Sequence, residues 1–163
     1  MNASTNLDPV NDIQLRPAVM ADKPALLALE QALVKAERPF NSWFIDGQIF
    51  YYDLDHFIQH DQTQLLVAEA GGEIIATGYL QIRTSKPSLR HDREGYLGFM
   101  YVTDAYRGKG VNKMIMHELM DWAKAQGVRD FYLDVYAQNQ TAIRAYEKLG
   151  FEASLVNMKL SSG

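Results

Sequence analysis

Hydrophobic and polar residues alternate in a regular way only after a polar stretch at residues 1–12, which we expect to be a disordered leader. Ile13 to Pro17 alternates with a period of two, which predicts a short strand with one buried face. From about Lys23 to Glu37 apolar residues recur at helical spacing, with Asp22 as an N-cap, and Pro39 follows as a stop signal. A strand followed by a helix is therefore predicted at the start of the ordered chain.

The middle of the chain favours strands. Residues 40–62 mix aromatic and acidic residues and are interpreted as a loop followed by a short helix from about Leu54. Runs rich in β-forming residues then predict three antiparallel strands, at 64–69, 73–83 and 95–102. Gly71-Gly72 joins the first two, since glycine tolerates the positive φ values of a two-residue hairpin turn. Residues 85–93 are polar and form the next connection.

From Gly110 the hydrophobic period becomes helical and stays so to Gly127. A strand from Phe131 to Val135 follows, and the order strand, helix, strand predicts a right-handed parallel crossover. The pattern ends with a short helix over residues 142–149 and a final strand over residues 151–160. We predict a single α/β (α+β) domain over residues 13–163, with a mixed, mostly antiparallel sheet.

Composition narrows the functional classes. The chain has 163 residues, enough for one domain, and no cysteine, which excludes disulfides, thiolate metal sites and a cysteine acyl intermediate. Its net charge of −4 disfavours nucleic acid as a partner, and no apolar stretch approaches the length of a membrane span. His56 and His60 lie four residues apart, but no third ligand accompanies them, so no metal is predicted. We expect a cytoplasmic protein.

The strongest local signal is the glycine loop, residues 106–112 (YRGKGVN), between a predicted strand and a predicted helix. Gly108 and Gly110 let the backbone approach a ligand closely, and the N–H groups that open a helix attract anions. Arg107 and Lys109 add positive charge. These features indicate a diphosphate site, and a plain turn that leads into a helix remains the alternative.

Two common diphosphate motifs do not match. A dinucleotide fingerprint needs a third glycine where this chain has Lys113, and it stands early in a βαβ unit, whereas three strands precede this loop. A P-loop needs Ser or Thr after its lysine, but Gly110 follows Lys109. Hydride chemistry and nucleotide hydrolysis are disfavoured. A flavin or nicotinamide reductase is kept as an alternative that dinucleotide binding would reveal.

The glycine loop resembles that of the GNAT superfamily of acetyl-CoA-dependent N-acetyltransferases, and the resemblance covers about residues 13–160. The family's pattern is Arg or Gln, two residues, Gly, one residue, then Gly or Ala. Arg107 and Gly110 match, while Asn112 departs from the last position. Asn tolerates left-handed backbone better than most residues, so we interpret it as a variation.

Three further segments carry the resemblance. RPAVMAD at 16–22 is similar to the family's first strand and helix entry, and ATGYL at 76–80 is similar to its third strand. LDVYAQNQTAIRAYEKLGF at 133–151 resembles the late motif, in which an Asn ends the fifth strand, a helix begins, and a Tyr faces the thioester. Asn139 and Tyr146 occupy those positions.

The resemblance implies a fold and a function. The fold is a mixed sheet with splayed fourth and fifth strands, flanked by about four helices. The function is transfer of an acetyl group from acetyl-CoA, used as co-substrate without a metal, to a primary amine of a small molecule or peptide by direct attack. Tyr146 would be catalytic, donating a proton to the leaving thiolate. The implied cofactor-binding residues are Met100, Tyr101, Val102, Arg107, Gly108, Lys109, Gly110, Val111, Asn112 and Asn139.

The general base stays open at this point. Spermidine/spermine acetyltransferases and their relatives carry Glu where this chain has Gly98. Glu94, Asp134, Tyr136 and a water chain are the alternatives. Because that carboxylate is missing, a catalytically weak CoA-binding sensor or scaffold of the same fold is the alternative function.

In this family the acceptor groove is built by the first helices and the loop between them, here about residues 30–61. That stretch is rich in acids and aromatics, which suits a cationic amine, although a solvated acidic face explains the same composition. Met114 and Met116 are interpreted as helix core or as a surface for a homodimer.

Overall fold

The computed structural model describes residues 12–163, so the predicted leader lies outside the described residues except for Asp12. These residues form five strands and four α-helices. The strands are β1 (Gln14–Pro17), β2 (Thr63–Ala70), β3 (Glu73–Thr84), β4 (Arg93–Val102) and β5 (Phe131–Leu133). The helices are α1 (Lys23–Glu37), α2 (Leu54–Gln59), α3 (Val111–Lys124) and α4 (Gln140–Lys148).

The strands form one sheet in the order β1-β2-β3-β4-β5. The first four pair antiparallel, and β5 pairs parallel to β4 after the crossover through α3. Ala70 pairs with Glu73 across Gly71-Gly72, and both glycines have positive φ. The mixed, mostly antiparallel sheet, the crossover and the hairpin are therefore confirmed.

Helices cover both faces of the sheet. On one face, the apolar side of α3 packs on the sheet through buried residues such as Ile115 and Leu119, and α4 adds Tyr146 and Leu149. On the other face, α1 and α2 pack through Leu26 and Leu54, among others. The core is thus two apolar layers that share one sheet.

β4 and β5 separate soon after they pair. Their ladder runs only from Gly95 opposite Phe131 to Leu97 opposite Leu133. Beyond Leu97, residues 98–102 of β4 have no β5 partner, because β5 ends at Leu133. The splayed strands are confirmed. β5 ends two residues earlier than predicted, and Val135, which the prediction included, is exposed.

The predicted final strand, Phe151 to Leu160, is wrong. Residues 151–163 form no strand, and Leu155, Met158 and Leu160 are largely exposed. Alternation describes one face of a strand, but a strand also needs a neighbour for its backbone hydrogen bonds. Among residues 12–163, no strand pairs with this segment.

Asp22 takes the predicted N-cap position of α1, and α1 has the predicted bounds, but the Asp22 side chain makes no capping bond. A 3-10 turn, Met20–Asp22, runs directly into α1, so the backbone at Asp22 is already helical. Its carboxylate instead accepts from the N–H of Val19 and forms a two-point ion pair with Arg16. This pairing holds the pKa of Asp22 below its ordinary value, and the Arg16 bond is the largest cause.

Among residues 12–163, no helix is both long enough and apolar enough to cross a bilayer.

Candidate active site

The glycine loop gives α3 an open N-terminus. Gly108 and Gly110 both have left-handed backbone, with φ of 73° and 79°, and no protein atom lies within 4 Å of a Cβ built at either. Gly110 occupies the N-cap position, and no side chain caps the helix there. The first intrahelical bond runs from the N–H of Met114 to the carbonyl of Gly110. The N–H groups of Val111 and Asn112 therefore point out of the helix, where they can bind an anion.

The side chains of the two basic residues of the glycine loop contact residues 101–106, at and just before the start of the loop. The Arg107 guanidinium donates to the carbonyl of Val102 at 3.0 Å and pairs with Asp104 at 3.1 Å. It also lies 5.4 Å from the centre of the Tyr101 ring, and Lys109 lies 5.3 Å from that of Tyr106. Arg107 thus ties the loop to the end of β4.

Asn112, the departure from the family pattern, sits in the first turn of α3. Its side-chain nitrogen lies 3.6 Å from the sulfur of Met116, and its buried Oδ1 has no hydrogen-bond partner among residues 12–163. The side chain folds against its own helix, so the backbone N–H at this position stays accessible from the helix end.

β4 contains a bulge beside this loop. Phe99 has a φ of 52°, which is uncommon outside glycine, and the pairing with β3 shifts register between Thr77 and Tyr79. Because of the extra residue, Gly98 and Phe99 both lie on the α1 side of the sheet, and Met100 returns to the α3 side. Tyr101 and Val102 pair with β3 beyond the bulge, and residues 100–102, predicted to bind the cofactor arm, have no β5 partner on their other side.

The Tyr79 side chain leaves no room for a glutamate at position 98. A Cβ at this position would lie 2.5 Å from the hydroxyl oxygen of Tyr79. The Tyr79 ring thus fills the space that a Glu side chain would need. Burial raises the pKa of Tyr79 to about 12, so its hydroxyl stays protonated near neutrality and is no base.

Tyr146 lies in α4 and Asn139 is its N-cap residue; the prediction that Asn139 ends the fifth strand is wrong, because β5 ends at Leu133. Tyr146 is half-buried, packs edge-on against Phe151 at 6.0 Å, and has no side-chain hydrogen bond within the described chain. Burial raises the pKa of its hydroxyl, and the charge of Glu37 raises it further. The Oδ1 of Asn139 accepts from the N–H of Ala142 and caps α4, which leaves the Nδ2 group as its donor.

The candidate bases occupy different settings. Glu94 is buried and ion-paired with Arg83 at 2.8 Å, at the far end of β4 from the glycine loop. Asp134 is exposed and accepts from the Tyr96 hydroxyl at 2.9 Å. The Tyr136 hydroxyl accepts from the side-chain amide of Asn41 at 3.1 Å. Of the three, Tyr136 contacts the chain between α1 and α2.

That connection, residues 41–53, is called the aromatic loop here. Tyr136 lies against it, stacked on Phe40 at 6.3 Å and edge-on to Phe44 at 6.4 Å. At the other end of the loop, Tyr52 stacks on Phe99 with ring centres 4.6 Å apart. The aromatic loop thus bridges the bulge in β4 and the chain that follows β5.

Most acids of the predicted groove are already engaged. Glu30 is fully buried, Asp53 caps α2, and Asp55 pairs with Lys23 at 2.7 Å. Glu37 differs, since it is half-buried and takes part in none of the salt bridges formed by residues 12–163. From the sequence, Glu37 is only one of several acids in the predicted groove. The available signal was its place in the last turn of α1, two residues before Pro39.

Other surface features lie elsewhere. One pocket of about 360 Å³ lies at the C-terminal half of α3, beside Phe131 and Leu149, and one of about 400 Å³ lies between α1 and the β2–β3 hairpin. Neither is lined by a residue predicted for the site. His56 and His60 stack at 4.5 Å, and within residues 12–163 no three potential metal-ligating side chains come together.

Comparisons with known proteins agree with this geometry. Residues 29–151 match the acetyltransferase (GNAT) family. The chain is 28% identical over 145 residues to an L-methionine sulfoximine/L-methionine sulfone acetyltransferase of Pseudomonas aeruginosa, covering 86% of this chain and 80% of the relative.

Solved structures show the same fold. A tetramutant of the BH1408 protein from Bacillus halodurans superposes with a TM-score of 0.82 at 22% identity, over 91% of this chain and 99% of that one. A predicted acetyltransferase from Clostridium acetobutylicum, crystallised with acetyl-CoA, gives 0.72 at 21% identity, over 91% and 96% of the two chains. The family match spans most of the domain and includes the glycine loop, Asn139 and Tyr146. This chain therefore belongs to the GNAT family of acetyltransferases.

Proposed function

We propose that the protein moves the acetyl group of acetyl-CoA to a primary amine of a small molecule or peptide. The observation that carries the proposal is the glycine loop, where two left-handed glycines and an uncapped helix end leave backbone N–H groups open to a diphosphate. The residues present fit this co-substrate, because a Cβ at Gly108 or Gly110 would stand in the open space above the loop. The Clostridium acetobutylicum relative crystallised with acetyl-CoA supports the assignment.

The remaining residues supply the other needs of acetyl transfer. The end of β4 that has no β5 partner, residues 100–102, offers backbone donors and acceptors to the pantetheine arm and to the thioester carbonyl. Asn139 adds its side-chain N–H group to the same arm. Tyr146, kept protonated by its raised pKa, offers a hydrogen to the sulfur as it leaves.

Direct attack by the amine is proposed rather than an acyl-enzyme, because the chain has no cysteine. The same absence supports a cytoplasmic location as part of the proposal. The Pseudomonas relative is named for two amino-acid derivatives, so an α-amino group is the first acceptor to test. A CoA-binding domain without turnover is the second candidate, favoured by the missing carboxylate at Gly98.

Two assays test the proposal. Thermal unfolding with CoA, acetyl-CoA, NAD and ATP is expected to show stabilisation by the two CoA species alone. Free-thiol release from acetyl-CoA is then measured with L-methionine sulfone, spermidine and a lysine-containing peptide. Release that requires an amine supports the proposal, and stabilisation by CoA without any release supports the binding domain. Stabilisation by NAD or ATP, but not by CoA, would overturn both.

A further inference from the structure

The last turns of α1 fix the aromatic loop, which has no regular structure of its own. The amide of Gln31 donates to the carbonyl of Ile49 at 2.8 Å, and the guanidinium of Arg38 donates to the carbonyls of Ile45 and Gly47. The donors are a side chain of α1 and the side chain directly after it, and the acceptors are backbone carbonyls of the loop. These bonds hold the loop in one path over the end of the helix.

Glu30 anchors the far end of the same loop. Its buried Oε1 accepts from the N–H groups of Tyr51 and Tyr52, at 2.5 and 3.3 Å. Burial raises the pKa of Glu30, and these two bonds partly oppose the rise. Because Glu30 is fully enclosed, it positions the loop and has no access to a substrate.

Glu37 stands two turns further along α1 and has a different environment. Its Oε2 accepts from the hydroxyl of Tyr51 at 3.0 Å, and its other oxygen has no partner in the described chain. The carboxyl group is half-buried and unpaired with any cation there. Arg38, the adjacent cation, is engaged by the carbonyls of Ile45 and Gly47.

Glu37 lies beside the aromatic loop and bonds to its Tyr51 hydroxyl. The Tyr51 ring packs against Phe44 at 6.1 Å and edge-on to Tyr52 at 5.5 Å. Burial raises the pKa of Tyr146 on α4, and the charge of Glu37 raises it further. A half-buried carboxylate beside a cluster of aromatic rings suits an ammonium group, through charge and cation–π attraction together.

We propose that Glu37 binds the ammonium group of the acceptor and takes its proton before acetyl transfer. This assignment rests on the proposed function and names the base that Gly98 fails to supply. It follows from three observations: Glu37 is half-buried, it pairs with no cation among residues 12–163, and it bonds to Tyr51 of the aromatic loop. Glu94 and Asp134 lack this combination, since Glu94 is ion-paired with Arg83 and Asp134 is exposed.

The proton balance is as follows. An N–H bond of the ammonium breaks and its proton moves to the Glu37 carboxylate, which leaves a neutral amine with a free electron pair. That pair forms the new C–N bond while the C–S bond breaks and its electrons leave on sulfur. The second nitrogen proton passes to the sulfur, with Tyr146 as the nearby hydroxyl, and Glu37 returns its proton to solvent.

Burial suits Glu37 to this task. Desolvation raises the pKa of its carboxyl group, and the Tyr51 hydroxyl bond lowers it by a smaller amount. A carboxylate with a raised pKa is a stronger base. Activity is therefore expected to fall as pH drops through the pKa of Glu37.

The test compares Glu37→Gln with Glu118→Gln, a matched change on the exposed face of α3. Acetyl-CoA affinity, melting temperature and the pH dependence of kcat are measured with the most active amine among L-methionine sulfone, spermidine and the lysine peptide. For Glu37→Gln we expect unchanged acetyl-CoA affinity, a kcat lowered about 100-fold at neutral pH, and a loss that shrinks at high pH, where the amine is already neutral. Glu118→Gln is expected to match wild type.

A second variant guards against a merely structural effect. Tyr51→Phe removes the hydroxyl that stabilises the charged form of Glu37, so the acidic limb of the kcat profile is expected to move to higher pH. Wild-type kcat and an unchanged acidic limb in Glu37→Gln would overturn the assignment. If the wild-type protein releases no thiol with any of the amines, the proposed function fails first, and the assignment fails with it.

Discussion

The glycine loop and the aromatic loop lie on two sides of one proposed reaction centre, yet they are built differently. The glycine loop offers backbone N–H groups, which glycines at two positions and a helix end make accessible. The aromatic loop depends on side chains drawn from α1, the bulge in β4 and the chain after β5. A site made of backbone leaves a compact sequence motif, whereas a site made of distant side chains does not.

The largest effect is expected from a substitution that disables the glycine loop alone. Gly110→Val is expected to weaken CoA binding by about 100-fold, or about 2.7 kcal/mol, because its side chain would stand where the diphosphate lies. Gly72→Val is the matched control, since Gly72 has nearly the same φ, 81°, and open space around it in the hairpin. Calorimetric titration with CoA measures both. Equal affinities in the two variants would mean that the diphosphate binds elsewhere.

Tyr146→Phe separates chemistry from binding at the boundary of the two regions. We expect kcat to fall about 100-fold while acetyl-CoA affinity stays within twofold, because the hydroxyl is used mainly as the sulfur leaves. Initial rates of thiol release and titration with acetyl-CoA give the two quantities. A kcat equal to that of wild type would remove Tyr146 from the mechanism.

Gly98→Ala is expected to act on the aromatic side. Its methyl group would collide with the Tyr79 ring, which packs on Tyr52 at 5.8 Å, so we expect a loss of about 1–3 kcal/mol in stability. Acetyl-CoA affinity should change little. Urea unfolding of a double-mutant cycle with Tyr79→Leu checks the cause, since the shorter side chain should remove most of the penalty. Full additivity would contradict this contact.

The smallest effect concerns pH and stability. Burial raises the pKa of Glu30 above its unfolded value, so its stabilising contribution is complete below that unfolded value and is lost as pH rises through the folded one. Glu30→Gln cannot ionise, so wild type should lose stability relative to this variant as pH rises from acid to neutral. Urea unfolding at several pH values measures the difference, with Glu118→Gln as the exposed control. A constant difference would contradict the direction given for Glu30.

Much of the fold was predictable because it depends on local pattern. The bounds of α1, the hairpin at Gly71-Gly72 and the crossover through α3 follow from hydrophobic period and turn residues. The final strand failed because pairing is a property of two segments, and residues 151–160 have no neighbouring strand in the described chain. Asp22 takes the predicted N-cap position but makes no side-chain capping bond, because its carboxylate is bonded to Arg16 and to the N–H of Val19.

The candidate site divides in the same way. The sequence motif identified Gly108, Gly110 and Tyr146, and their predicted roles await the experiments above. The proposed role of Glu37 could not be predicted from the sequence, because Tyr51 and Tyr146, on which it depends, lie 14 and 109 positions away along the chain. Nor could the sequence explain Gly98, since only the register of β3 on β4 brings the Tyr79 ring to that position.

The most direct measurement is mass spectrometry of the amine after incubation with acetyl-CoA and the wild-type protein. L-Methionine sulfone, spermidine and a lysine-containing peptide serve as acceptors, with thiol release recorded in the same samples. The account predicts that at least one amine gains the mass of one acetyl group, with one thiol released for each. Bound CoA with no acetylated amine and no thiol would contradict it, and would leave a binding domain with the acetyltransferase fold.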